Sequence, residues 1–242
     1  MKNFISVIIF LSAFNFSALA QIGPPHDLTR EELEGFHIGI HSMLGHSSIS
    51  PQNAYGFAEL DPEFFFAFSM GVRAGIQFTA QGGIFAEYNF SRLGARWNGV
   101  EAETETSREI RIEYWQIPLL FKYNWLDRPR FYLIAGPELN LLKSAIHLYN
   151  PESNQIIGRP EINGDITERF KNSALGAVMG AGVELIFAER LYGIFGVRFS
   201  YIFSDINNEK FKIQNLNNEY KASHICFPSL ELGLGYIFPS NR

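Results

Sequence analysis

Residues 110–125 read IRIEYWQIPLLFKYNW. After a break at Leu126-Asp127-Arg128-Pro129, residues 130–142 read RFYLIAGPELNLL. Both halves alternate. In the first, Trp115, Ile117, Leu119, Phe121, Tyr123 and Trp125 share one face. Tyr114, Gln116, Pro118, Leu120, Lys122 and Asn124 share the other, because successive strand side chains point to opposite sides. A tryptophan stands at each end of the apolar face. Ten residues at about 3.3 Å each, tilted by roughly 40°, rise about 25 Å, which is the height of the lipid band on an outer-membrane barrel with its aromatic girdles. A strand of a soluble sandwich, with both tryptophans in its core, fits this stretch equally well. The remaining sequence has to decide.

Six further segments alternate in the same way. They cover about 36–44, 65–79, 83–93, 174–187, 191–203 and 225–238. With the opening stretch they make eight strands, whose connections run long, short, long, short, long, short, long. The links at 80–82, 126–129 and 188–190 are short. Those at 45–63, 94–108, 143–171 and 204–223 are long and polar. This asymmetry predicts an all-β, eight-stranded, antiparallel, up-and-down transmembrane β-barrel with short periplasmic turns and long extracellular loops. A soluble lipocalin-type barrel also has eight alternating strands. Its outer face would carry many Lys and Glu, whereas the polar face here is rich in glycine and sparsely charged. That suits the inside of a narrow barrel filled by its own side chains.

Composition agrees. Aromatic residues make up 15% and Phe alone numbers 23, favouring strands and boundaries between apolar and wet surroundings. A net charge of −5 gives no basic footprint for nucleic acid. No apolar run of helical transmembrane length follows the N-terminus. That N-terminus combines Lys2, a short apolar run over 4–16 and the small-x-small site Ala18-Leu19-Ala20. It predicts a cleaved signal peptide over 1–20 and a mature chain starting at Gln21. A short periplasmic lead over 21–34, the barrel over 35–238 and a tail over 239–242 complete the expected organisation. Cys226 is the only cysteine, so the fold must hold without an internal disulfide.

The pieces Ile117-Pro118-Leu119, Lys122-Tyr123, Ala135-Gly136-Pro137 and the closing Gly233 to Phe238 resemble the outer-membrane β-barrel family of PorT-like and "porin family" proteins. The likeness in strand order spans residues 35–238. It implies an outer-membrane address and barrel-assembly machinery as a partner during insertion, with Tyr236 and Phe238 in the aromatic-ended last strand. The chain departs from the pattern by continuing through Pro239-Ser240-Asn241-Arg242. The resemblance implies a barrel and not an open pore.

Inward polar candidates are His37, His41, Arg73, Gln77, Glu87, Gln116, Lys122, Glu138, Asn140, Glu184, Arg198 and Glu231. Charges inside a narrow barrel must pair. Arg73 with Glu87, and Arg198 with Glu231, are expected at matching heights. The charged members Arg73, Glu87, Lys122, Glu138, Glu184, Arg198 and Glu231 therefore predict a plug of ion pairs. A narrow ion path gated by them is the sharper alternative. Trp115, Tyr123, Trp125, Tyr236 and Phe238 are the expected aromatic girdle. Lipid-modifying catalysis would need a nucleophile and a base within reach. His41 and Ser42 point apart, and His147 and His224 lie in or beside loops near Ser144 and Ser223. No catalytic residue is assigned, and no cofactor or metal is expected, since no metal spacing, phosphate loop or Cys-His pair occurs. The expected role is structural or ligand-binding through the extracellular loops, where aromatics and aliphatics (Trp97, Tyr149, Ile156, Ile157, Phe211, Tyr220) could contact an extracellular ligand or partner. The expected surroundings are the outer-membrane lipid bilayer and, at the loops, such a ligand, with the protein a monomer.

Overall fold

The computed structural model describes residues 33–50, 60–101, 104–125, 129–151, 164–188, 190–212 and 220–239. The expected signal peptide, almost all of the lead, tail residues 240–242, Ile156, Ile157 and the Tyr149 side chain lie outside what is described.

Among the described residues eleven strands follow in chain order. They are β1 (Gly35–His46), β2 (Ser48–Ser50), β3 (Leu60–Glu63), β4 (Phe66–Gln77), β5 (Gly82–Glu101), β6 (Thr104–Trp125), β7 (Arg130–Pro151), β8 (Gly164–Asp165), β9 (Ser173–Ile186), β10 (Leu191–Ile202) and β11 (His224–Pro239). Eight of them form an antiparallel ring, β1-β4-β5-β6-β7-β9-β10-β11, closed by β11 against β1 from Gly35↔Pro239 to Gly45↔Ser229. The short strands add to the loop end: β2 pairs with β11, β3 with β5 and β8 with β7.

The ring closes with a stagger. From Trp115 the pairing runs through Phe90, Met70, Ser42, Leu232, Phe195, Val183 and Phe131, and returns to the starting strand at Trp125, ten residues lower. Such a shear accompanies the strand tilt that a closed sheet requires. The two tryptophans that bracket the apolar face are thus one circuit apart.

The faces divide as the alternation predicts. Leu119, Phe121, Tyr123, Met179, Phe195, Val197, Leu230, Leu232 and Leu234 are exposed on the outside, Phe121 by 59%. The inner parity is buried. It includes all twelve polar residues predicted to face inward, from His37 to Glu231. Glycines on that inner face make room for inward tyrosines. A Cβ on Gly196 would stand 2.5 Å from the Tyr132 hydroxyl, and one on Gly235 would stand 2.2 Å from the Tyr192 ring.

Three expectations need correction. The long polar loop predicted over 94–108 is mostly sheet: β5 runs on to Glu101 and β6 starts at Thr104, leaving only residues 102–103 as the link. β7 likewise continues to Pro151 instead of ending near residue 142. On β5 and β6 the extensions carry Arg and Glu on the outward parity, which does not contrast with a loop, while β7 turns Lys143, Ile146 and Leu148 outward. The third correction concerns the inner surface, which is more than glycine and charge. A cluster including Ile49, Phe65, Leu93, Trp97, Ile110, Ile112, Phe170 and Ile225 fills the loop end. A second, with Phe85, Leu120, Tyr132, Ile134, Tyr192 and Ile237, fills the turn end. An eight-stranded lumen is only wide enough for side chains, and apolar ones fill it without a desolvation penalty.

Candidate functional site: the barrel lumen

Between the two apolar clusters lies a layer of buried charge. Arg73 on β4 stands directly opposite Glu87 on β5. Its Nε donates to Glu87 Oε1 at 2.6 Å and its Nη2 donates to Glu231 Oε1 at 2.5 Å. Arg198 reaches across from β10. Its Nη1 and Nη2 donate to the two Glu87 oxygens at 3.0 and 3.2 Å, and its Nη1 lies 3.5 Å from Glu231 Oε1. Tyr132 donates its hydroxyl to Glu231 Oε2 at 3.1 Å. Two guanidinium groups therefore meet two carboxylates. Arg73 pairs with Glu87 as expected, whereas Arg198 gives its hydrogen bonds to Glu87 across the lumen and the guanidinium bond to Glu231 comes from Arg73. Charge-assisted bonds of this kind hold a buried ion only when both partners are present.

His41 joins the edge of this layer, with Nε2 2.7 Å from Asn89 Oδ1. His41, Glu87 and Glu231 each offer an atom within 4.8 Å of the others, close enough to hold a metal ion. Their negative charge is already balanced by Arg73 and Arg198. The donor set therefore presents no anionic excess to attract a cation.

Lys122 and Glu184 form a second pair nearer the turn end, and Arg130 Nη1 lies 3.3 Å from Glu184 Oε2. The Lys122 ammonium also sits 4.9 Å from the centre of the Phe85 ring and 5.5 Å from that of Tyr132. Arg130 escaped the sequence reading because it follows Pro129 at a turn. Parity was the usable signal, since it shares a face with Tyr132, Ile134, Glu138 and Asn140.

Glu138 departs from the predicted pairing. Its carboxylate accepts from Gln116 Nε2 at 3.0 Å and from Ser200 Oγ at 2.9 Å, both neutral donors. Gln116 also donates to Asn140 Oδ1 at 2.6 Å, and Ser91 bonds both Gln116 and Ser69. A cavity of about 10 Å³, lined by Gln116, Glu138, Arg198, Ser200 and Ser229 among others, has room for about one water.

The outward aromatics lie where the alternation puts them. Tyr88 stacks on Trp115 at 5.0 Å, Trp125 stacks on Phe131 at 5.9 Å, and Tyr236 meets Phe238 edge-on at 4.7 Å. Tyr123 is exposed on the same face.

The loop candidates separate. Trp97, expected in a loop, is inside β5 and 1% exposed, part of the loop-end cluster. Tyr220 donates to both Asp205 oxygens at 2.8 Å, while Phe211 is exposed. Burial raises the Asp205 pKa, but hydrogen bonds from the Ser223 N–H, the Tyr220 hydroxyl and the Asn207 N–H outweigh it. They hold the carboxyl below its usual range. Of the histidines expected in or beside loops, His147 lies within β7 and His224 opens β11. Their nearby serines are engaged elsewhere: Ser144 Oγ donates to Glu113 at 3.1 Å, and Ser223 Oγ accepts from Asn207 Nδ2 at 2.9 Å.

The chain is similar in fold to several solved structures. Neisserial surface protein A shares 14% identity at a TM-score of 0.42, with 84% of this chain and 97% of that one covered. The outer membrane protein OprG from Pseudomonas aeruginosa shares 13% at 0.41, covering 86% and 97%. Ail, the attachment invasion locus protein of Yersinia pestis, shares 13% at 0.37, covering 85% and 99%. No curated protein sequence matches. The family description "Outer membrane protein beta-barrel domain" matches residues 20–208. With a closed eight-stranded ring, an apolar outer band and that match over most of its length, the chain belongs to the outer membrane protein beta-barrel domain family.

Proposed function

We propose that this protein is a non-conducting, non-enzymatic outer-membrane barrel, PorT-like in its strand motifs, whose loop end binds a ligand or partner. The observation that carries this reading is the lumen itself. Side chains occupy it at three levels, with the Arg73–Glu87–Arg198–Glu231 layer enclosed between the loop-end and turn-end clusters. Ions crossing such an interior would have to break buried pairs whose rupture costs several kcal/mol. The rigid ring leaves the loop end as the surface free to vary, which is where binding concentrates on a scaffold.

In this reading the turns, with Gly35 and Pro239 where the strand path begins and ends, face the periplasm and the loops face outward. The protein is exported through a signal peptide over 1–20, inserted by the barrel-assembly machinery and held as a monomer in the bilayer, with Trp115, Tyr123, Trp125, Tyr236 and Phe238 as its girdle. N-terminal sequencing of the exported protein should begin at Gln21. Purified protein in planar bilayers should give no stable single-channel steps. Reproducible steps would replace this reading with a narrow passive pore.

A further inference from the structure

Just above the aromatic end of the outer band lies a row of charge that the lumen network does not use. Arg92, Glu113 and Lys143 are the next outward residues beyond Phe90 on β5, Trp115 on β6 and Leu141 on β7. Arg92 Nη2 donates to Glu113 Oε1 at 3.0 Å, and Lys143 Nζ donates to Glu113 Oε2 at 3.1 Å. Each cation also sits on an aromatic ring, Arg92 at 5.3 Å from the centre of Phe68 and Lys143 at 4.6 Å from that of Phe90. Phe90 in turn packs edge-on against Trp115 at 5.4 Å.

We propose that Arg92 and Lys143 form a binding site for the phosphate headgroup of a membrane lipid in the leaflet at the loop end. Five features support this. The row has two cations to one carboxylate, an excess of one positive charge on a chain whose net charge is −5. Glu113 engages one donor on each cation, whereas a guanidinium has five N–H groups and an ammonium three, so donors remain for phosphate oxygens. Both cationic side chains are partly open, 40% and 46% exposed. Their height is a fourth, because on β5 and β6 the outward residues change from aromatic at Phe90 and Trp115 to charged at Arg92 and Glu113, and lipid phosphates lie immediately above the hydrocarbon. Glu113 and the two rings restrict both side chains before a lipid arrives, which lowers the entropy lost on binding.

The inference rests on the outer band facing lipid, so the experiment separates the two. The full chain is folded into nanodiscs of phosphatidylcholine containing a minor share of phosphatidylglycerol, and the lipids retained after detergent extraction are quantified by mass spectrometry. Phosphatidylglycerol should be enriched about fivefold by the wild type, the effect of one unscreened basic residue at a charged membrane surface. Enrichment should fall to near unity in R92Q/K143Q and rise in E113Q. Millimolar inorganic phosphate should not abolish it, because the site takes a headgroup already held in the bilayer. Insertion with equal enrichment in the wild type and R92Q/K143Q would overturn the headgroup site alone. Failure of folded protein to enter nanodiscs would overturn the lipid-facing band and the site with it.

Discussion

Replacing Arg73 with methionine tests the buried charge layer directly. The substitution keeps an unbranched apolar stem in the lumen and deletes the guanidinium. Glu231 then loses its 2.5 Å partner and keeps the Tyr132 hydroxyl at 3.1 Å, with Arg198 at 3.5 Å and His41 Nδ1 at 3.7 Å more distant. Glu87 loses its 2.6 Å bond but retains both Arg198 contacts. Breaking a buried ion pair from one side costs about 3–5 kcal/mol. Because Arg198 still serves both carboxylates, the lower end, about 3 kcal/mol, is expected. The double substitution R73M/E231L removes one charge of each sign and should recover to within about 1 kcal/mol of wild type, since replacing a whole buried pair with apolar groups is close to neutral. Urea unfolding in phospholipid vesicles, followed by tryptophan fluorescence, gives both values. A loss below about 0.5 kcal/mol for R73M would mean that water already solvates this layer, and the sealed-lumen argument would fail with it.

Three further outcomes follow from the same geometry. F121R places a charge midway between Trp115 and Trp125 on the outer face and should destabilise the vesicle-inserted barrel by about 2–4 kcal/mol, whereas a water-exposed Phe would tolerate the change; the same unfolding assay decides. G196A drives a methyl group into the Tyr132 hydroxyl and should weaken its bond to Glu231, visible as loss of the folded band in a heat-modifiability gel at a lower temperature than wild type. The Asp205 carboxyl is held below its ordinary value by its hydrogen bonds, so its stabilising effect is present above the usual carboxylate range and is lost as pH falls through the folded value. Amide exchange at Ser223 and Asn207, corrected for intrinsic rates, should therefore accelerate at about pH 3 relative to neutral, while D205N should exchange fast at both.

The period-two pattern made the ring legible because each strand between the tryptophan levels separates an apolar lipid-facing parity from a filled interior. Arg73 with Glu87 could be placed opposite each other from their distances to the turn at Gln81 alone. What escaped was whatever lies beyond that band. Arg96, Glu109 and Arg111 face outward on paired strand, yet they form ion pairs with one another and read as loop composition. Trp97 between them keeps the inward parity, and it was the one residue there that could have revealed the extension. Inward apolar residues such as Phe85 and Ile134 were hidden for a different reason: hydrophobicity on both faces erases the contrast by which alternation is recognised. Glu138 was placed inside correctly but was expected to have a cationic partner. Sequence parity gives a residue its side of the sheet and says nothing about its neighbours two strands away.

The joint between β1 and β11 fixes the order in which the barrel can be completed. Gly35 meets Pro239, so the two margins of the sheet stay open until just over two hundred residues of intervening chain have been laid down. Until that seam zips, the growing sheet offers two rows of unspent backbone donors and acceptors, an invitation to any other extended chain. The pairing of β1 with β11 removes both rows in one event, and it is the last contact the chain order allows.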